Sequence, residues 1–243
     1  MSVILQSFVH NPLLRNFYLS DGHQAGNCVQ EDCLSCGMDE IFQEFYAHDT
    51  TAGFCASNLL ATVWAARKFL SGYDGLTGDV EHDAHEFFQF LAEKLHETET
   101  SQSRASDGAK LGNSCECIIH QTFYGKTQTN MTCTHCGATS IAVQPFLNLD
   151  LTIGGAAKKR IGKGKKGDKG GQKAAKQLTL YQCLDEEYRQ SEDCARTCHS
   201  CYGHQECRKQ TVIKRLPNVL CIQIKVFFIL SNKVLIRPIS ISC

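Results

Sequence analysis

Residues 132–137 read "TCTHCG", and residues 197–203 read "TCHSCYG". Each is a Cys-x-x-Cys turn with a glycine close behind. Two thiolates on such a turn can converge on one cation, and a second turn completes a tetrahedral shell. Cys133, Cys136, Cys198 and Cys201 therefore form a candidate four-cysteine zinc site. The turns lie 61 residues apart, which is long for a zinc ribbon. A low-complexity tract between them inflates that distance. The segments around the turns have β-like composition: "IIHQTFYG", "SIAVQPFLNLDLTI" and "VIKRLPNVLCIQIK". The second half of the chain thus reads as strands hung on metal knuckles, with Phe146, Leu147, Leu149, Leu151 and Ile153 in strand-like alternation.

Upstream the periodicity changes to helical. Residues 1–19 read as a helix and its exit, broken by Pro12. Residues 20–38 read as a polar, cysteine-rich loop. Residues 39–48 and 56–70 carry apolar side chains at helical spacing. The clearest helix is "DAHEFFQFLAEKLHE", starting at Asp83. Asp83 suits the N-cap and Glu86 sits three residues on, a capping-box arrangement. Ala84, Phe87, Phe88, Leu91 and Leu95 form its apolar stripe. Residues 97–114 lack apolar anchors and read as a loop. Helices first, then strands, is the order of an α+β fold.

Composition sets the outer limits. The chain has 243 residues, 42% hydrophobic and 21% charged, enough for one domain with a subdomain. No apolar run approaches the roughly 18–20 residues of a membrane span, so no membrane partner is expected. The 15 cysteines are an odd number with no secretory signal ahead of them, which favours reduced thiols and metal over a disulfide scaffold. The net charge of zero conceals an asymmetry: residues 158–176 hold nine of 25 Lys/Arg and one of 25 Asp/Glu, leaving 16 basic and 24 acidic residues elsewhere. This tract lies in a basic insertion, 154–177, which reads as a disordered surface loop. Direct nucleic-acid binding is disfavoured, because the rest of the chain is acidic and offers no basic helix or aromatic stacking platform.

Two further clusters have metal-ligand spacing. In "HQAGNCVQEDCLSC", His23, Cys28, Cys33 and Cys36 would make a site of three thiolates and one imidazole, holding a loop too polar to form a core. In "CECIIH", Cys115, Cys117 and His120 would need a fourth ligand, for which His96 at the end of its helix is the candidate; a solvated His96 is the plainer reading. Zinc is thus expected at two sites, with a third open. Cys55, Cys183, Cys194, Cys207, Cys221 and Cys243 read as small buried hydrophobes or exposed thiols.

Taken in order, "VILQSFVHNPLLRNFYLS", "HDAHEFFQFLAEKL", "CIIHQTFYGKTQTNMTCTHCG", "PFLNLDLTI", "CHSC" and "LPNVLCIQIK" resemble the ubiquitin-specific proteases. The loop holding His23 and the Cys-x-Cys-Ile-Ile-His run are similar to the branch that acts on monoubiquitinated histone in the SAGA coactivator. The resemblance implies a papain-like cysteine protease fold, incomplete here. Residues 1–225 would be a partial catalytic domain, with 1–96 in the helical thumb and 115–225 in the zinc-bearing fingers and palm. It also implies ubiquitin, ubiquitinated histone and SAGA deubiquitinating-module adaptors as partners, and a nuclear location. Asp83 matches the family's acid that contacts the extended ubiquitin tail, with His82 and Glu86 beside it. A carboxylate there suits a tail rich in arginine and backbone donors.

The chain departs from the family at both ends. The nucleophile motif would lie just ahead of Met1, and no histidine matches the base. Catalytic residues in this chain are therefore none, and the expectation is a hydrolase-type protein that is inactive as written, with an inactive ubiquitin-binding or docking scaffold as the alternative. Residues 226–243 read as an aberrant tail.

Overall fold

The computed structural model describes residues 1–47, 53–67, 83–106, 115–152, 179–225, 227–230 and 233–236. The basic insertion, His82 and part of the tail lie outside them. The chain divides into two compact units, 1–122 and 123–243.

The first unit is helical: α1 (Ser2–Val9), α2 (Pro12–Leu19), α3 (Leu34–Tyr46), α4 (Ser57–Arg67), α5 (Ala84–Ser106) and α6 (Ile118–Phe123). Residues after Pro12 are not merely the exit of the first helix, because Pro12 opens a second one. It occupies the first helical turn, where its missing N–H costs nothing. Asn11 caps that turn, its side-chain oxygen accepting the amides of Leu13 at 2.9 Å and Leu14 at 3.2 Å. The core is the apolar face these helices share. Phe8, Leu14, Tyr18, Met38, Phe42, Leu59, Val63, Phe90 and Leu91 are all buried, each side chain contributing about 1.5–3 kcal/mol. Tyr18 stacks on Phe42 with centroids 4.7 Å apart. A Cβ on Gly37 would stand 3.0 Å from the Leu59 backbone, so glycine sets the close approach of α3 and α4.

Three sequence expectations are corrected here. Residues 97–106 are not loop but a continuation of α5. Contacts beyond the helix hold this stretch, since Thr98 is buried and Glu99 accepts the Ile118 amide at 3.0 Å, while the Thr98 and Thr100 hydroxyls are satisfied by the carbonyls of Lys94 and His96, each at 2.9 Å. Residues 118–123 are helix rather than strand. The Cys117 sulfur accepts the amide of His120 at 3.4 Å, acting as the cap of that turn. Ala84 is exposed, and the buried stripe of α5 is Phe87, Phe88, Phe90, Leu91 and Leu95.

The second unit is built on strands. β1 (Gly125–Cys133), β2 (Thr139–Phe146), β4 (Ser191–Thr197) and β5 (His204–Arg215) form an antiparallel sheet in the order β2-β1-β5-β4. β3 (Asn148–Thr152) pairs in parallel with β6 (Cys221–Lys225). Between them in sequence, α7 (Leu180–Tyr188) opens on a capping box of Thr179 and Gln182. The Tyr188 hydroxyl donates to the Asp150 carbonyl of β3 at 3.4 Å. Leu149 and Leu151 are the buried pair of β3. Strands β7 (Phe227–Leu230) and β8 (Lys233–Ile236) make a separate antiparallel hairpin. Among the described residues, no helix is long and apolar enough to cross a membrane.

The antiparallel sheet has almost no apolar interior. Within its four strands only Gly125, Cys133 and Cys207 are buried. Its small core is made of sulfur: Cys133, Cys198 and Cys207, with Met131, Ala138, Cys194 and Cys201 packed against them.

Candidate functional site

The structure gathers three clusters of metal-ligand side chains, each with all its ligand atoms within 4.8 Å of one another. They hold the residues selected from sequence spacing, including His96 in the third.

The first cluster caps the antiparallel sheet. The turn after β1 brings Cys133 and Cys136 together, and the turn between β4 and β5 brings Cys198 and Cys201. The Cys133 amide bonds Ala138 at 2.9 Å and the Cys198 amide bonds Gly203 at 2.9 Å, so both turns are closed in the same way. The residue after the second cysteine is left-handed in each: Gly137 at φ 72° and Tyr202 at φ 53°. Sulfur–sulfur distances across the turns are 3.6 Å for Cys136–Cys198 and 4.0 Å for Cys133–Cys201. Four thiolates at about 2.3 Å from a tetrahedral Zn²⁺ stand about 3.8 Å apart. A disulfide would bring two sulfurs to about 2.05 Å. The cluster thus has the size of a zinc shell. Backbone N–H groups of Cys201 and Ser200 aimed at the Cys198 sulfur pull that thiol down to about 6, whereas burial pushes Cys201 up to about 12. A bound cation would deprotonate all four.

The second cluster lies at the start of α3. Cys33 is the N-cap residue and Cys36 follows one turn later. His23 Nε2 lies 3.2 Å from Cys36 Sγ and 3.7 Å from Cys33 Sγ, close to the roughly 3.6 Å of a tetrahedral N–S edge. Cys28 completes the set. Burial raises both Cys33 and Cys36, since the loop removes water without supplying charge. Asp39 supports this loop, accepting the amide of Ala25 at 3.2 Å.

The third cluster joins α5 to α6. His96 Nδ1 lies 3.3 Å from Cys117 Sγ and 3.6 Å from Cys115 Sγ, and His120 Nδ1 lies 3.1 Å from Cys117 Sγ. Burial raises Cys117 to about 12. Burial and the neighbouring His96 lower His120, which favours the neutral ring that a metal requires. Glu99, one turn after His96, accepts the Ile118 amide at 3.0 Å and so ties α5 to the start of α6. Sequence reasoning missed Glu99 and Asp39; their only signal was a position three residues beyond a ligand on the same helix.

Asp83 stands at the start of α5 with its carboxylate exposed and accepting the His85 amide at 2.8 Å. It therefore caps the helix and keeps oxygen lone pairs for another donor. Glu86 lies one turn on, partly buried.

A helical unit and a thin, thiol-cored sheet, with zinc-sized clusters in both, define an α+β protein of the ubiquitin-specific protease fold. The sequence pattern described as "Ubiquitin carboxyl-terminal hydrolase" matches residues 1–237, and the chain belongs to that family of cysteine-type deubiquitinases. It is 31% identical over 239 residues to "Probable ubiquitin carboxyl-terminal hydrolase 8" of Schizosaccharomyces pombe, covering 96% of this chain and 45% of that protein. It is 32% identical to "Ubiquitin carboxyl-terminal hydrolase 22" of Homo sapiens, covering 93% of this chain and 43% of that protein. Among solved structures it is similar to a chain of the SAGA Ubp8/Sgf11/Sus1/Sgf73 DUB module bound to ubiquitin aldehyde, with TM-score 0.70, 29% identity, and 96% of this chain and 46% of that chain covered. The chain spans a little under half the length of these relatives.

Proposed function

We propose that this chain is the thumb, fingers and part of the palm of a deubiquitinase that acts on ubiquitinated histone within a nuclear, SAGA-like module. Residues 1–96 supply the thumb and 115–225 the fingers and palm. Zn²⁺ occupies each of the three clusters: Cys133, Cys136, Cys198 and Cys201; His23, Cys28, Cys33 and Cys36; His96, Cys115, Cys117 and His120. The metal supplies folding energy rather than chemistry, because each shell already has four protein ligands.

The observation that carries this reading is the antiparallel sheet closed by four thiols and lacking an apolar core, in a chain whose structural relatives include this module solved with ubiquitin aldehyde and with monoubiquitin. Asp83 would bind the ubiquitin tail, with His82 and Glu86 beside it. The nucleophile and base are matched by none of this chain's residues, so the polypeptide as written binds ubiquitin without cleaving it.

The test is calorimetric titration of the zinc-loaded chain with ubiquitin, alongside a ubiquitin C-terminal fluorogenic substrate. Asp83→Asn keeps a good N-cap while removing the charge. It should weaken binding by about 5- to 12-fold, because a hydrogen bond to a charged group contributes about 1–1.5 kcal/mol more than a neutral one. Absence of ubiquitin binding with all three zinc ions present would sink the ubiquitin reading. Turnover above a no-enzyme control would sink the inactivity.

A further inference from the structure

The antiparallel sheet carries more thiols than its metal cluster uses. Cys194 of β4 lies directly opposite Cys207 of β5, and Cys207 lies directly opposite Cys133 of β1. Directly opposed residues share one face of a sheet, so three thiols stand in a row across three strands. Cys133 belongs to the four-thiol cluster; among the described residues, Cys194 and Cys207 belong to no metal-ready cluster. Both are free thiols, and both sit in the sulfur core, Cys207 only 4% exposed and Cys194 half-buried. The Cys207 thiol donates to the Gln205 carbonyl at 3.8 Å and also meets the Cys133 sulfur.

The spacing suits a disulfide. Opposed residues in an antiparallel pair have Cα atoms about 4.5 or about 5.5 Å apart. Both values fall within the about 4.4–6.8 Å that a disulfide spans. The Cβ atoms of such a pair stand about 4.5–5.5 Å apart and a disulfide draws them to about 3.5–4.5 Å, so the strands need close by only about 1 Å. With zinc holding Cys133, Cys194 is the sulfur left for Cys207 to pair with.

We propose that Cys194 and Cys207 form a cross-strand dithiol, a modification site that hydrogen peroxide oxidises to a disulfide while the neighbouring metal cluster stays loaded. The partly accessible Cys194 sulfur attacks the peroxide; the O–O bond breaks, water leaves and Cys194 becomes a sulfenic acid. The Cys207 sulfur then attacks the Cys194 sulfur. The S–S bond forms, the S–O bond breaks, and the departing hydroxide takes the Cys207 proton as water. Two thiols and one peroxide give one disulfide and two waters. The bond crosses from the edge strand to its neighbour and clips β4 to the sheet.

This inference rests on the zinc reading only in that the metal blocks Cys133. The experiment treats the zinc-loaded chain with hydrogen peroxide, traps remaining thiols by alkylation and maps linked peptides by mass spectrometry without reduction. Zinc is measured before and after with a metallochromic indicator. The expected result is one linked pair, Cys194 with Cys207, lighter by two hydrogens, reversed by dithiothreitol, with zinc content unchanged. Cys194→Ser and Cys207→Ser should each abolish the link, and unchanged zinc stoichiometry shows that each variant is folded. A link containing Cys133, zinc loss in step with oxidation, or peroxide oxidation elsewhere without a Cys194–Cys207 link would overturn the proposal. Zinc content before peroxide reports separately on the zinc reading.

Discussion

Replacing Cys136 with serine should melt the antiparallel sheet and leave the helical unit folded. Cys136 is exposed, so serine changes the ligand with little change in packing. The sheet has little else to hold it: its strands contribute only Cys133 and Cys207 as buried side chains. Structural zinc contributes about 10–16 kcal/mol to folding, and one of four equal ligand shares is about 2.5–4 kcal/mol. That corresponds to about 60- to 700-fold in the opening equilibrium, a large part of the about 5–15 kcal/mol that holds a whole domain. The assay is amide hydrogen exchange read by mass spectrometry, which resolves local opening from global unfolding. Peptides covering 125–146 and 191–215 should lose protection by that factor. Peptides within 1–47 and 83–106 should not change, since their own clusters and their aromatic core lie in the other unit. The ion of this cluster should be the first of the three taken by a chelator, its affinity lowered by the same factor, and its removal should then cost the sheet the rest of the zinc contribution. Full protection of the sheet with one zinc missing would refute the idea that metal substitutes for an apolar core.

The lowered His120 fixes the sign of a pH effect at the third cluster. Below about pH 6.5 the unfolded chain binds the proton more readily than the folded one, so stability is present above that pH and declines as pH falls. Zinc release on acidification should follow, and His120→Gln should flatten this dependence; stability rising with acid would refute it. Tyr18→Phe removes a 2.9 Å hydrogen bond to Ser35 between two fully buried groups. Leaving Ser35 unpaired should cost about 1–3 kcal/mol, visible as a fall in thermal midpoint that Ser35→Ala partly restores in the double variant; an unchanged midpoint would count against it.

The clusters could be read from the sequence because their ligands are close in the chain. Cys133 and Cys136, or Cys33 and Cys36, are fixed by the turn that contains them. His96 was harder, since only a long-range contact brings it to Cys117. The same distance hid the length of α5: Glu99 belongs to that helix and meets the Ile118 amide, a partner absent from any local window. Residues 118–123 could be strand or helix on periodicity alone, because six residues with two isoleucines fit both. Pro12 was ambiguous for a different reason. It breaks one helix and starts another, and the Asn11 side chain decides between the two outcomes.

The two turns of the four-thiol cluster differ in the residue behind the second cysteine. Gly137 and Tyr202 both hold a left-handed backbone, which costs a residue with a side chain about 1–2 kcal/mol and costs glycine little. Tyr202 is 87% exposed and recovers little of that by burial. In the metal-free chain the first turn is therefore ligand-ready about 5- to 30-fold more often than the second. An ion bound as proposed would meet Cys133 and Cys136 already converged, and the second turn would close over it. A glycine behind one pair of cysteines and a tyrosine behind the other would thus bias metal loading toward the first turn.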